Sequence, residues 1–367
     1  MTRMLRIALI TLGDPQRLTG GYLYHRRMCE LAPRFGAQIS FVSFPDRPFP
    51  WPALAGPSVL QDIRRAGADV VVLDSIAAAY LGPWTRSLRR APPLVAMLHQ
   101  PPGGIDSGKL RTAIQKRLDG LAYRPARRLL VASDSLADQL AEQGVSRDLM
   151  TVVPPGRDVA EPADLPLFDV RHEHRVAFLC VGNWIERKGI HHLLEAFARL
   201  PAETGMLHLV GDDRADASYA ARLRARLRQP DLAGRVIVHG PVSRERVAAL
   251  YRASDIFVLP STREPYGTVY GEAMASGLPV VGWRAGNLPD LATDGREGIL
   301  VAPGDLGGLS RALQLLADDE RLRRELGEAA ARRALQRPTW EASAALFFGA
   351  VHEVVGSGPA RQKEHKW

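Results

Sequence analysis

Short apolar runs rich in Val, Ile and Leu recur along the chain. Between them lie longer stretches in which apolar residues return every three or four positions. The runs are too short for helices and the longer stretches carry the helical period, so the pattern predicts strands alternating with amphipathic helices. Strands are expected at residues 6–12, 38–44, 70–74, 94–99, 128–133 and 150–153, and again at 176–182, 206–211, 236–240, 256–260, 279–283 and 298–301. Apolar runs separated by helices belong to parallel sheets covered on both faces. The pattern breaks at residues 154–174, PPGRDVAEPADLPLFDVRHEH, where Pro and acidic residues replace the period, and this stretch reads as a linker. The fold class expected is α/β: two Rossmann-like doubly wound domains, residues 1–165 and 166–340, facing an interdomain cleft lined by strand carboxyl ends. The tail GSGPARQKEHKW, from Gly356, is expected to be disordered.

One segment concentrates candidate chemistry. REPYGTVYGEAMASGLPVV, residues 263–281, follows the strand-like DIFVLPS. Pro265 disfavours a helical conformation at Glu264, so Glu264 is assigned to a loop. A helix is expected from Thr268, stopped by Gly277, with the next strand beyond. A helix opening at the carboxyl end of a parallel strand presents free N–H groups and a positive dipole to an anion. Gly267 lets that anion approach the backbone. Glu264 and Glu272, with seven residues between them, would repel it, but carboxylates accept hydrogen bonds from sugar and ribose hydroxyls. A diphosphate on backbone amides, with a hydroxyl-bearing group on either side, describes a nucleotide sugar. Two glutamates at this spacing also occur on solvated helix faces, and spacing alone does not choose. In the first half, GDPQRLTGGYLYHRR places Gly20 and Gly21 between the first strand and first helix, as an anion-binding turn or simply a tight one.

Composition narrows the class. The 367 residues are 46% hydrophobic and 24% charged, an ordinary globular balance. That length suffices for two cores. No apolar run of the chain approaches the length needed to span a bilayer, ~20 residues. LRIALITL is short and is followed by Gly13 and Asp14, so it reads as a first strand rather than a signal peptide. Cys29 and Cys180 are expected to be buried free thiols, which suits the cytoplasm. The net charge of +8 is carried largely by Arg, which suits phosphate. With no zinc finger, RNP-type motif or helix-turn-helix, nucleic acid is set aside as a partner. The basic residues Arg86, Arg89, Arg90, Lys109, Arg111, Lys116, Arg117, Arg124, Arg127 and Arg128 are opposed only by Asp106 and Asp119. They make either a peripheral contact with anionic lipid at the inner membrane face or a solvated basic face. Asp212, Asp213 and Asp216 superficially suggest a metal site, but no metal is expected there.

The run VGNWIERKGI, then LHLVGDD, then the stretch from RVIVHGPVSRERVAALYRASD through REPYGTVYGEAMASGLPVV to GILVAPGD, resembles the donor domain of retaining nucleotide-sugar glycosyltransferases of the group 1 class, family four, with the GT-B fold. The likeness spans residues 176–305 and is weaker in the first half, where Gly20–Gly21, His99 in MLHQPP, VASDSLADQL and VVPPGRD resemble acceptor-domain landmarks. The resemblance implies that residues 341–367 hold a terminal helix crossing back to the first domain. It implies that Glu264 contacts donor-sugar hydroxyls, that Glu272 accepts from the ribose, and that the amides around Tyr266, Gly267 and Thr268 hold the sugar and distal phosphate. Lys188 would pair with the diphosphate, Gly21 would approach it from the other domain, and His99 would sit near the anomeric centre. The alternative for His99 is a satisfied structural histidine. The partners implied are a nucleotide-sugar donor, as co-substrate with no further cofactor, and an acceptor hydroxyl on a glycan, a lipid-linked compound or a small molecule.

The family usually carries Arg five residues before the motif lysine, and here that position is Asn183, which brings no charge; Arg187 is the candidate replacement. Asn287 stands where a second Gly is usual, and Trp283 and Arg284 are either ligand contacts or an exposed loop pair. Gly156 and Asp158 are read as shaping the linker. The competing readings are a catalytically weakened nucleotide-sugar-binding protein of the same fold and another GT-B enzyme, a phosphorylase or an epimerase.

Overall fold

The computed structural model of the protein describes residues 3–16, 20–90, 92–105, 108–157, 169–264 and 266–357. Asp106, Asp158 and the tail beyond 357 lie outside the described residues, as do the side chains of Arg86, Arg89 and Arg90. The chain forms two compact units, one of Met1–Gly156 with Pro338–Trp367 and one of Arg157–Arg337.

In the first unit the strands are β1 (Leu5–Leu12), β2 (Ala37–Phe44), β3 (Val70–Asp74), β4 (Leu94–Leu98), β5 (Ala126–Val131) and β6 (Met150–Val152). They pair in parallel in the order β2-β1-β3-β4-β5-β6. Every residue of β3 and β4 is buried, as two-sided coverage requires. β5 starts earlier than the sequence suggests, because its register with β4 shifts between Leu94 and Val95 and takes in Ala126. Arg128, where the sequence places the start of this strand, donates from its guanidinium to the Asp148 carbonyl at 2.8 Å. Its stem can line the strand while its charged head reaches a polar partner. The helix Trp340–Gly356 belongs to this unit: Phe347 and Phe348 are fully buried with Leu5, Ile7 and Leu9. Each such ring contributes roughly 1.5–3 kcal/mol of burial.

In the second unit β7 (Val176–Val181), β8 (Gly205–Val210), β9 (Val236–Gly240), β10 (Ile256–Val258), β11 (Val280–Trp283) and β12 (Gly298–Val301) form a parallel sheet in the order β12-β11-β10-β7-β8-β9. Each sheet therefore has one place where the chain reverses its direction of travel across it, between β1 and β3 and between β7 and β10. At such a switch point the loops leave on opposite sides and open a crevice at the carboxyl ends.

Several expectations change. Cys29 is half-buried rather than buried, at the edge of its helix, while Cys180 is buried in β7. Trp283 ends β11, within the strand expected at 279–283, and its fully buried ring makes it neither a ligand contact nor part of an exposed loop pair. Arg284 is exposed and paired with Asp294 at 2.7 Å. Gly156 has a steric role, since a Cβ there would lie 2.4 Å from the Trp340 Cα.

Gly189 has φ 68°, and a Cβ on it would stand 2.1 Å from the Pro260 carbonyl oxygen. Strain in the left-handed region and a backbone clash act together there. Gly189→Ala is expected to cost more than ~2 kcal/mol and to lower the melting temperature by roughly 4–8 °C. An unchanged melting curve would show that the 186–189 turn is looser than described.

Candidate functional site

The switch point of the second unit collects the conspicuous polar residues of the sequence. After β7 a single turn of 3₁₀ helix, Glu186–Lys188, ends at left-handed Gly189. The absence of a side chain at Gly189 lets this turn lie against the segment leaving β10. Thr262 N donates to Arg187 O at 2.9 Å, and Ser261 Oγ donates to the same oxygen at 3.0 Å. That seam brings Lys188 to Glu264: Nζ donates to Oε2 at 2.5 Å. Arg187 Nη1 stands 3.6 Å from the same carboxylate oxygen and donates to the Arg263 carbonyl at 2.8 Å. The Lys188 and Glu264 side chains are only 10% and 11% exposed. The charges therefore face each other where water is scarce and screening is weak.

Two neighbours fix the Glu264 loop. Gly286, at φ 59°, lets the chain pass so close that a Cβ would be 2.6 Å from Glu264 N. Asn287 donates its backbone N–H to Glu264 O at 2.9 Å and its side-chain Nδ2 to Tyr266 O at 2.8 Å. Asn287, a departure from the family pattern, thus braces the loop. Gly267, at φ 61°, caps the helix Thr268–Ala275. The first amides of a helix are open to an acceptor. On the next turn Glu272 accepts from Tyr251 Oη at 3.1 Å, and the half-buried guanidinium of Arg337 lies against Gly271 beside it. Burial pulls the Arg337 pKa below its ordinary value, and the Glu272 charge opposes that pull. Sequence reasoning misses Tyr251 and Arg337, because they come from other segments and carry no local motif.

Asn183 follows β7, and its Oδ1 accepts from Asp212 N at 3.1 Å. The amide therefore stitches the loop after β7 to the loop after β8, a backbone task that an Arg side chain cannot do as an acceptor. Asp212, Asp213 and Asp216 have separate duties: Asp216 caps the helix Ala217–Leu227, Asp213 pairs with Arg224 at 2.7 Å, and the Asp212 carbonyl takes Trp184 N.

The first unit has its own cluster at its own switch point. Gly21 lies in the opening turn of the helix Gly20–Leu31, and neither φ nor any atom within 4 Å of a Cβ requires glycine there. One turn on, His25 Nε2 bonds Asp74 Oδ2 at 2.7 Å, with both side chains buried. Ser75 Oγ accepts from His99 N at 3.2 Å, and the His25 and His99 rings are 5.3 Å apart. Burial holds the His99 pKa down to about 3, with the Asp74 charge opposing and the His25 charge assisting. His99 is therefore neutral at ordinary pH. For Asp74, burial pushes the pKa up, but the His25 charge and hydrogen bond outweigh it and the net shift is downward. Sequence reasoning overlooks Asp74 and His25. The available signals are a carboxylate closing an otherwise apolar strand, VVVLD, and a histidine on the buried stripe of its helix with Tyr24, Met28 and Leu31.

The loop after His99 is held from below. Asp119, pointing inward from the helix Lys109–Tyr123, accepts from Gly103 N at 2.8 Å. Burial pushes its pKa up to about 7, against the pull of the backbone hydrogen bonds.

The first unit matches the family description "Glycosyltransferase Family 4" over residues 5–161 and the second matches "Glycosyl transferases group 1" over residues 169–333. The chain is 32% identical over 253 residues to the D-inositol 3-phosphate glycosyltransferase of Xylanimonas cellulosilytica, covering 64% of this chain and 60% of that protein. It is 34% identical over 232 residues to the MMP alpha-(1->4)-mannosyltransferase of Mycolicibacterium hassiacum, covering 62% of this chain and 54% of that one. The match thus spans little more than half the length of these curated relatives. Among solved structures, a sucrose-phosphate synthase from Thermosynechococcus elongatus has a TM-score of 0.80 at 22% identity, covering 96% of this chain and all of its own. Anabaena HepE in complex with UDP-glucose has a TM-score of 0.79 at 21% identity, covering 95% of this chain and 99% of its own. At these identities the likeness speaks to the fold, which is GT-B.

Asp119 generates a pH prediction. Its folded pKa lies above the ~3.9 of an unfolded Asp. Between about pH 4 and 7 the folded chain therefore holds a proton that the unfolded chain has released. Stability falls as pH rises through that window and levels off above it. Asp119→Asn keeps an acceptor for Gly103 N and removes the titration. Its melting temperature is expected to gain on the parent's by a few degrees between about pH 5 and pH 8. A constant difference across that range would contradict the assignment.

Proposed function

The chain belongs to the group 1 glycosyltransferases, and from that premise we propose that it moves a hexose or similar sugar from a nucleotide diphosphate-sugar to an acceptor hydroxyl, with retention at the anomeric carbon. The observation that supports this most directly is the Lys188–Glu264 pair, flanked by Arg187. It lies at the switch point between β7 and β10, in the loop that leads to the N-terminus of the helix Thr268–Ala275. Glu264 faces two cations, Lys188 and Arg187. A diphosphate competes for Lys188 and Arg187 and releases the Glu264 carboxylate to accept from sugar hydroxyls. The amides of Gly267 and Thr268 take the distal phosphate, and Glu272, held by Tyr251, accepts from the ribose. Arg187 supplies the charge that Asn183 does not.

In the transfer step the bond from the anomeric carbon to the diphosphate oxygen breaks as the acceptor oxygen bonds the same face. The acceptor's proton passes to the departing phosphate oxygen. Negative charge grows on the diphosphate, and Lys188, Arg187 and the helix N-terminus stabilise it. Neutral His99 contributes a hydrogen bond to the sugar rather than a charge. No separate cofactor or metal enters this reading. The acceptor is a glycan, a lipid-linked compound or a small molecule, and the work is placed in the cytoplasm.

A thermal-shift and nucleotide-release screen against UDP-, GDP-, ADP- and TDP-sugars names the donor, with Glu272→Ala as the control that loses the shift. With that donor, Lys188→Met is expected to lower kcat/KM by ~10²–10³. Lys188 and Glu264 both staying dispensable would remove the reading's foundation. Gly21→Ala separates fold from function: the melting temperature should stay within about 1 °C, because nothing crowds that position, while the donor KM rises roughly tenfold. An unaltered KM would place the donor away from Gly21. Donor binding without release of nucleotide to any acceptor or to water would favour the weakened-binder reading that Asn183 motivates.

A further inference from the structure

The helix Lys109–Tyr123 turns its polar and its apolar residues the wrong way round for a soluble surface. Its inward face carries a buried carboxyl, Asp119, with Ala122 and Tyr123. Its outward face carries Leu110, 77% exposed, with Ile114 and Leu121 also exposed. Spacings of four, three and four residues place Leu110, Ile114, Arg117 and Leu121 on one stripe. Lys109, Arg111, Lys116 and Arg124 flank it, and all five cations are exposed. None of the five forms an ion pair among the described residues, whereas arginines elsewhere are commonly paired, as Arg226 is with Glu195 and Asp231. No acidic side chain opposes them on the outer face of this helix. The Arg111 guanidinium lies 5.1 Å over the Phe49 ring, which sets the segment after Phe49 beside the first turn. That segment exposes Trp51 at 60% and Leu54 at 71%.

We propose that this face, the Leu110–Ile114–Leu121 stripe with Trp51 and Leu54 and its five exposed cations, docks the first unit on an anionic lipid surface. Aliphatic and indole side chains enter the acyl boundary while Lys and Arg meet lipid phosphates. The combination selects among partners. Nucleic acid would answer the cations but leave the leucines against water, and a second copy of the chain would set like charges against each other. The apolar stripe adds to the basic band a component that salt does not screen. The docking is separate from the donor chemistry, and it puts the loop after His99, tied to this helix through Asp119, close to whatever the surface presents.

The test is co-sedimentation of the full chain with vesicles of phosphatidylcholine containing about 30% phosphatidylglycerol, against pure phosphatidylcholine, at ~0.1 M and ~0.5 M salt. The expected result is at least a tenfold preference for the anionic vesicles, reduced but not abolished by salt. The double variant Leu110→Glu with Ile114→Glu should lose at least tenfold, and Leu315→Glu, which changes an exposed leucine of the second unit, should lose nothing. The two glutamates replace exposed side chains, so the melting temperature should hold, and an unchanged nucleotide-induced thermal shift confirms intact protein. Equal binding to both vesicle types, or a double variant that binds like the parent, overturns the proposal. So does a concentration-dependent dimer in light scattering that the double variant dissolves, which would assign the stripe to self-association. Vesicle binding is read without donor, so its failure and the failure of sugar transfer are separate results.

Discussion

Parallel strands buried on both faces leave the chain almost no place for polar chemistry except the carboxyl ends, and there chiefly where the strand order reverses. Everything of functional interest at the ends of these two sheets follows from that constraint. In the second unit the reversal lies between β7 and β10, so the turn carrying Lys188 and the loop carrying Glu264 leave neighbouring strands and meet. In the first it lies between β1 and β3, and Thr11, Asp74 and the helix bearing His25 converge there. The glycines serve the same geometry. Gly189 and Gly286 have left-handed backbones at points where another strand's loop passes too close for a Cβ.

The two clusters differ in how their charges are met. Lys188 and Glu264 are nearly buried and paired with each other. The desolvation cost of such an arrangement is offset only while both partners remain. In the proposed function, a ligand that brings its own negative charge and its own hydroxyls replaces each partner in kind. Asp74 and His25 are buried more completely and braced by Thr11, Ser75 and the Ile76 amide. That cluster is held by its own hydrogen bonds, and Ser75 within it also takes the His99 N–H. The loop after His99 is in turn tied by Asp119 to a helix whose other side is dressed for a different environment.

Departures from a family's usual residues look different once their contacts are known. Asn183 holds the backbone of the neighbouring loop, and Asn287 braces the loop of Glu264. Both amides use acceptor or donor groups on main chain, so the substitutions are structural commitments. Arg187, which the 3₁₀ turn aims at the same carboxylate as Lys188, is the cation proposed in place of the one that Asn183 lacks.

The sequence by itself determined the alternation of strand and helix, the two-unit plan, the parallel sheets and the positions of Glu264, Gly267 and Glu272 on their elements. It could do so because strand burial, helix caps and the Pro265 break are local, and their physics acts within a few residues. It did not determine that Trp283 is core, that β5 begins at Ala126, or that Tyr251 holds Glu272. Nor did it reveal the His25–Asp74 pair or the inverted face of the Lys109–Tyr123 helix. Those depend on which distant segments pack together and on which side of a helix the sheet lies. Only the tertiary structure decides that, because burial is a property of neighbours and not of the residue itself.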